Sequence, residues 1–393
     1  MTAPINPNLA GVPRPPIMEV YGWVSETSFP PDRPLLNLSQ AAPVDPPPGP
    51  LVRAMAEAMH EPGTHLYGPV LGDTALRDEI AARWSMHYGA GIDGSEVAVT
   101  AGCNQAFCAA VASLCAPGDA VMLPVPWYFN HKMWLDMNGL QAIPIRCGAD
   151  MLPDLDHARE AMTPAVKAIA LVTPNNPTGA EYPTGLLDGF YALARENGAC
   201  LIVDETYRDF HSAVGAPHAL FAQPDWRDGF IHLYSFSKVF HLTGHRTGAI
   251  VAGAARLAEV EKFLDTVAIC APRTGQIAAL WGLRNLGNWV AGERQEILAR
   301  RCALLAEFAE NLPDWKVLGA GAYFAYVEPP FDMPSRDLAR ALVERQSLLV
   351  LPGTMFTPTE GNWGGGRQLR IAFANADAAG LAEMGRRLAA FRC

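Results

Sequence analysis

Short apolar runs alternate with amphipathic stretches between Val97 and Ile250, which predicts an α/β protein built on a largely parallel sheet sandwiched by helices. Two further observations point the same way. IALV and LIV are apolar without a break, as strands buried on both faces require. The chemically distinctive residues cluster just after such runs, at the carboxyl ends of strands, where open α/β sheets place their sites.

Taken in order, residues 1–49 read as an extended arm and linker. MTAPINPNLAGVPRPP is proline-rich, and Pro46-Pro47-Pro48-Gly49 stands before the helical stretch LVRAMAEAMH. The runs VAVTAG, AVMLPV, AIPI, AIALVTP, CLIVDE, IHLYSFS and TGAIVAG follow as strands, with helical patterns between several of them. Past about residue 290 the pattern changes to a long charged helix, GERQEILARRCALLAEFAENL. Strand-like GAYFAYVE, a helix, the final strand QLRIAFA and a closing helix come after it. GTMFTPTEGNWGGGRQ, rich in Gly and Thr, reads as a mobile surface loop. The expected division is an arm and part of a small domain over 1–49, a large domain over 50–290 and a small α+β domain over 291–393.

A chain of 393 residues exceeds one ordinary core and fits two domains in close contact. Half of it is hydrophobic and under a fifth charged, which excludes general disorder. The net charge of −10 and the lack of a Lys/Arg cluster argue against nucleic acid or an anionic membrane as partner and favour a small-molecule substrate. Eight cysteines are scattered with no C-x-x-C pair or His spacing, so no metal site is expected and buried reduced thiols are. The N-terminus has no apolar core of signal-peptide length, and no run approaches ~18 apolar residues. These features place the protein in the cytoplasm.

The most specific stretch is Ser235-Phe-Ser237-Lys238, continuing to Arg246 and Gly248 behind an apolar strand. A sheltered lysine loses part of its proton affinity and becomes a nucleophile toward an aldehyde. Ser235 and Arg246 offer a hydroxyl and a fork-shaped cation suited to phosphate. Asp204 closes the strand CLIVD ahead of Tyr207, a position from which a carboxylate can meet a ring nitrogen. Thr173-Pro-Asn-Asn176-Pro-Thr-Gly179 follows AIALV as a turn, and Gly102-Cys103-Asn104 opens a helix after VAVT, where free N–H groups attract an anion. Each motif alone has a plainer reading, as surface lysine, helix cap, turn or strand–helix junction; their joint order does not.

Together these segments resemble the class I and II aminotransferases, the fold type I pyridoxal-phosphate enzymes of aspartate-aminotransferase type. Six motifs occur in family order from about Leu36 to Phe373: S-x-x-K with Arg eight residues on, D-x-x-Y, N-P-T-G, the glycine-bearing helix start, Pro-x-aromatic, and Y-G-x-x-x-G-x-x-x-L-R. The resemblance implies a large domain holding a mostly parallel mixed sheet plus a smaller α+β domain, with pyridoxal 5′-phosphate carried as a Schiff base on Lys238. It implies that Lys238, once displaced by substrate, moves the proton. Asp204 would pair with the pyridine nitrogen, and Tyr207 and Asn176 would bond the phenolic oxygen. Gly102, Cys103, Asn104, Ser235, Ser237 and Arg246 would hold the phosphate end.

Tyr128 would stack on the ring, with Trp127 the alternative. Tyr67 would reach the phosphate of a neighbouring subunit, which implies a homodimer. Arg370 would hold the substrate's α-carboxylate, with Asn176 and Ala41 beside it. Ala41 stands where the family usually has glycine, so its methyl narrows the pocket. Arg273 lies where a dimer partner often contributes groups; phosphate, substrate side chain and solvent are all open to it. The implied activity is ping-pong transamination between an L-amino acid and a 2-oxo acid. A carbon–sulfur lyase on the same scaffold is the alternative, and a regulator on this fold is a remoter one. The motifs do not name the amino acid.

Overall fold

The computed structural model describes residues 3–392. Its strands are β1 (Leu36–Asn37), β2 (Val97–Thr100), β3 (Ala120–Val125), β4 (Gln141–Arg146), β5 (Val166–Val172), β6 (Cys200–Asp204), β7 (Phe230–Ser235), β8 (Gly248–Val251), β9 (Lys316–Gly321), β10 (Phe324–Glu328), β11 (Leu348–Leu349), β12 (Leu351–Pro352) and β13 (Leu369–Ala372). Each strand read from the sequence between Val97 and Ile250 is present. They form one seven-stranded sheet in the order β2-β8-β7-β6-β5-β3-β4, in which only β8 runs against its neighbours.

Side chains alternate across this sheet and feed two apolar layers. Val99, Met122, Ile169, Leu171, Leu201 and Val203 face one layer, while Ala98, Val121, Leu123, Ala170, Ile202 and Leu233 face the other. Each fully buried Val, Leu or Ile contributes about 1.5–3 kcal/mol. Burial on both sides explains why these strands read as unbroken apolar runs.

A second, four-stranded antiparallel sheet has the order β12-β13-β10-β9. The long charged helix expected from residue 292 spans Gly287–Asn311, and it packs against the closing helix Ala378–Ala390. β1 pairs in parallel with β11, Leu36 opposite Leu348, so the first part of the chain is stitched to the last.

The N-terminal region departs from the expected irregular arm, because it holds helices over Pro7–Gly11 and Pro16–Glu26. Its prolines mark helix starts: Pro16 occupies the first turn, where a missing N–H costs nothing. Val20 and Trp23 then anchor the second helix in the core. The Gly/Thr-rich segment is likewise more than a surface loop. Gly353, Phe356, Thr357 and Gly365 are buried, and Ser335 Oγ donates to Gly365 O across 2.8 Å, leaving its exposed stretch near residues 359–362. The thiols are unpaired among the described residues, but only Cys103 and Cys200 are buried and Cys302 is exposed. Cys393 lies outside the described residues.

Candidate active site

The carboxyl ends of β3, β5, β6 and β7 lie along one edge of the large sheet, and antiparallel β8 begins at that same edge, Gly248 opposite both Ser235 and Thr100. The loops there enclose a cavity of about 420 Å³. Lys238, Asp204, Asn176, Tyr207, Ser235, Ser237, Arg246, Cys103, Asn104, Tyr128, Arg370 and Ala41 all line it. Topology therefore gathers residues as far apart in the chain as Ala41 and Arg370 onto one surface.

Lys238 sits one turn beyond β7, on a short helix that the Ser235 hydroxyl caps by accepting from Ser237 N at 3.2 Å. Burial, with the guanidinium groups of Arg246 and Arg370 nearby, pushes its amine down to about 8. A substantial neutral fraction near physiological pH makes it a competent nucleophile and base.

Asp204 is 5% exposed at the end of β6. Burial alone would push its carboxyl up, but His131 and Thr206 outweigh that and hold it below the usual range. Thr206 donates from both its backbone N and its hydroxyl, at 3.0 and 2.7 Å. His131 Nε2 lies 3.5 Å from Asp204 Oδ2, an electrostatic contact rather than an aligned hydrogen bond. Its ring is stacked on Phe107 at 3.7 Å and meets Tyr128 edge-on at 5.1 Å.

Gly102 has φ +87 and precedes the helix Cys103–Ala112. A Cβ there would collide with the Arg246 guanidinium, so the helix start and the cation close on the same point. Arg246 is itself fixed by donating to Thr243 O at 3.0 Å. Gly179, at φ +73, lets the loop after β5 lie against Gly321 and Phe324 of the small sheet.

Arg370 on β13 is 3% exposed, not solvent-facing. Its Nη1 donates to Asn176 Oδ1 at 2.9 Å and its Nη2 to Ser39 O, while its Nε has no protein partner. Burial pushes it down to about 10. Tyr207 Oη donates weakly to Ala41 O, at 3.4 Å. Trp127 does not line the cavity; it is 6% exposed in the apolar layer opposite Tyr207's side of the sheet, and Tyr128 takes the cavity wall. Tyr67 is 79% exposed and away from this chain's own cavity. Arg273 is close by it, packed on Gly68 and ion-paired with Asp73.

Residues 33–388 match the family model for aminotransferase class I and II. The chain belongs to this family. An aromatic aminotransferase of Arabidopsis thaliana is 29% identical, covering 97% of this chain and 93% of the relative. A Bacillus subtilis L-glutamine–4-(methylsulfanyl)-2-oxobutanoate aminotransferase is 28% identical over 82% of this chain and 81% of its own. The structure superposes on N-succinyldiaminopimelate aminotransferase from Mycobacterium tuberculosis with TM-score 0.87, 26% identity and coverage of 98% and 99%. It superposes on Thermus thermophilus aspartate aminotransferase with TM-score 0.89, 22% identity and coverage of 99% of both chains, a likeness of fold.

As a class I and II aminotransferase, the protein is a pyridoxal-phosphate enzyme that moves an amino group between an amino acid and a 2-oxo acid. The carbon–sulfur lyase alternative is not favoured by relatives that are themselves aminotransferases. The cavity fits the cofactor: its surroundings offer a helix start closed by a guanidinium, a buried ionised carboxylate and an amine of lowered proton affinity.

Several groups in or beside the cavity carry no signal in the sequence. His131 falls on the helix Phe129–Met137 three residues after Tyr128, and an isolated His there gives no signal until its contact with Asp204 is seen. Ser39 enters through its backbone carbonyl, which carries no side-chain signature. Ile17 and Tyr21 line the cavity from the helix Pro16–Glu26, and Pro15, just before its start, lines it too.

Proposed function

We propose that Lys238 carries the cofactor and shuttles the α-proton, and that the other cavity residues hold the parts of cofactor and substrate around it. The observation that carries this reading is the convergence on one cavity of an amine lowered to about 8, a buried ionised carboxylate and two guanidinium groups. Pyridoxal phosphate, when bound, supplies an aldehyde for amines and a ring that withdraws electrons from the adjacent carbon. Asp204, kept ionised by His131 and Thr206, would hold the proton on the ring nitrogen. Tyr207 and Asn176 would orient the phenolic oxygen, and Tyr128 would cover the ring face.

Gly102, Cys103, Asn104, Ser235, Ser237 and Arg246 would bind the phosphate. Arg370, with its partnerless Nε and its anchored Nη atoms, would fix the α-carboxylate; Ala41 packs beside it. Lys238 Nζ would then take the α-proton as base and return it as acid.

The domains are proposed as 1–49 with 291–393 against 50–290, and the helix Gly287–Asn311 bridges that limit. A homodimer is supported by the exposure of Tyr67, whose chain neighbour Leu66 and the nearby-in-sequence Val52 and Met59 are exposed as well. No helix among the described residues is long and apolar enough to cross a membrane, which is compatible with the proposed cytoplasmic location.

The test is stoichiometry. Loaded protein and a donor amino acid without acceptor should release one equivalent of 2-oxo acid per site and stop, and a second 2-oxo acid should restart it. Continuous release of ammonia would contradict transamination.

A further inference from the structure

The charged side chains among the described lining residues are four: Asp204, Lys238, Arg246 and Arg370. On the reading above, each has a part to hold: ring nitrogen, aldehyde, phosphate and α-carboxylate. None remains to meet a charge on the substrate's side chain. Arg273, which a second copy would bring near with Tyr67, is already neutralised by Asp73.

The wall next to Arg370 is instead apolar and neutral. Arg370 binds the carbonyl of Ser39, and the following residue, Gln40, donates from its amide to the Tyr21 hydroxyl. That bond fastens the helix Pro16–Glu26 over the cavity and places Ile17 and Tyr21 on its lining. Leu351 stands opposite Arg370 in the β12–β13 register, and Phe129 also lines the cavity, its ring 5.8 Å from that of Phe356. The Gln40 amide, at the exposed rim, is taken up by the Tyr21 hydroxyl and carries no charge to offer a charged guest. A charge brought here would lose its water without gaining a partner, whereas an apolar side chain gains by burial.

We propose that this site selects amino acids with large uncharged apolar side chains, aromatic, branched aliphatic or thioether, and rejects dicarboxylic and dibasic ones, with Ile17, Tyr21, Phe129 and Leu351 forming the subsite. The proposal rests on the aminotransferase reading of the same cavity.

Its test is kcat/KM of the cofactor-loaded wild type for phenylalanine, leucine and methionine against aspartate, glutamate and lysine, measured as bleaching of the cofactor band. The apolar set should exceed the charged set by at least ~100-fold, the scale at which a site rejects a group it cannot partner. Ile17→Arg should lower the phenylalanine-to-glutamate ratio at least tenfold by placing a cation in the wall. Glutamate or lysine reacting as well as phenylalanine in the wild type would overturn the proposal while leaving transamination standing. Failure of every amino acid to react would overturn the activity itself and the proposal with it.

Discussion

Arg370 Nη1 donates to Asn176 Oδ1 across 2.9 Å, joining the last strand of the small sheet to the loop after β5 of the large one. The contact sets the guanidinium with one amine edge anchored to protein and its Nε partnerless. Lysine can supply the charge but not the planar fork. Arg370→Lys should therefore lower kcat/KM for the donor by roughly 100-fold, the loss of a charged hydrogen-bond pair, mostly through KM. The cofactor band should be unchanged, which absorbance would verify.

Lys238 gives a pH prediction. Its proton affinity is depressed from the ordinary lysine value to about 8, chiefly by burial. In cofactor-stripped protein the neutral amine accumulates as pH rises through about 8, so the rate of pyridoxal-phosphate capture should climb with a midpoint there. The same sign governs stability: the cost of burying the charged amine is present in full below pH 8 and is relieved as pH rises above it. A capture rate that keeps rising toward pH 10 would show an ordinary exposed lysine.

His131 tests the electrostatics of the ring pocket. His131→Phe keeps a ring stacked on Phe107 but removes the group that offsets the burial of Asp204. The Asp204 carboxyl should then move up, so activity is lost at higher pH on the acid side than in wild type. A fall in kcat of about tenfold near neutrality, the loss of roughly 1.4 kcal/mol, is expected. An acid limb that does not move would mean His131 only fills space.

Gly102 tests the phosphate end. Its φ of 87 and ψ of 165 belong to a region open almost only to glycine, and a Cβ would also strike Arg246. Gly102→Ala should weaken cofactor affinity at least ~10-fold, from a backbone penalty of order 1–3 kcal/mol. Equilibrium dialysis reads it directly, and unchanged affinity would remove this loop from the site.

The proposed shared site can be checked by mixing two defective chains. Lys238→Ala should be inactive, and Tyr67→Ala should bind cofactor poorly. Hybrids formed by refolding them together should regain activity, because one of their two sites then has Lys238 from one chain and Tyr67 from the other. No recovery would place Tyr67 outside the site.

Much of this was legible in the sequence because strands buried on both faces leave unbroken apolar runs, and because their carboxyl ends must carry the site groups. Asp204, Lys238 and Asn176 stand out at or just after such strand ends, and they line one cavity. What escaped depends on contacts distant in sequence. His131 acquires meaning only when the end of β6 is brought beside its helix, and Ser39 enters through a backbone carbonyl that no side-chain pattern marks. The N-terminal helix is hidden in the sequence because proline reads as a breaker, although in a first turn it starts helices. The substrate wall it carries was hidden with it.

The most direct measurement is borohydride reduction of the cofactor-loaded protein, followed by digestion and mass spectrometry. The chain has only five lysines, Lys132, Lys167, Lys238, Lys262 and Lys316, so the assignment is unambiguous. The phosphopyridoxyl mass should appear on the peptide containing Lys238, near one per chain, and on no other. Its appearance on a different lysine, or on none, would contradict the site described here.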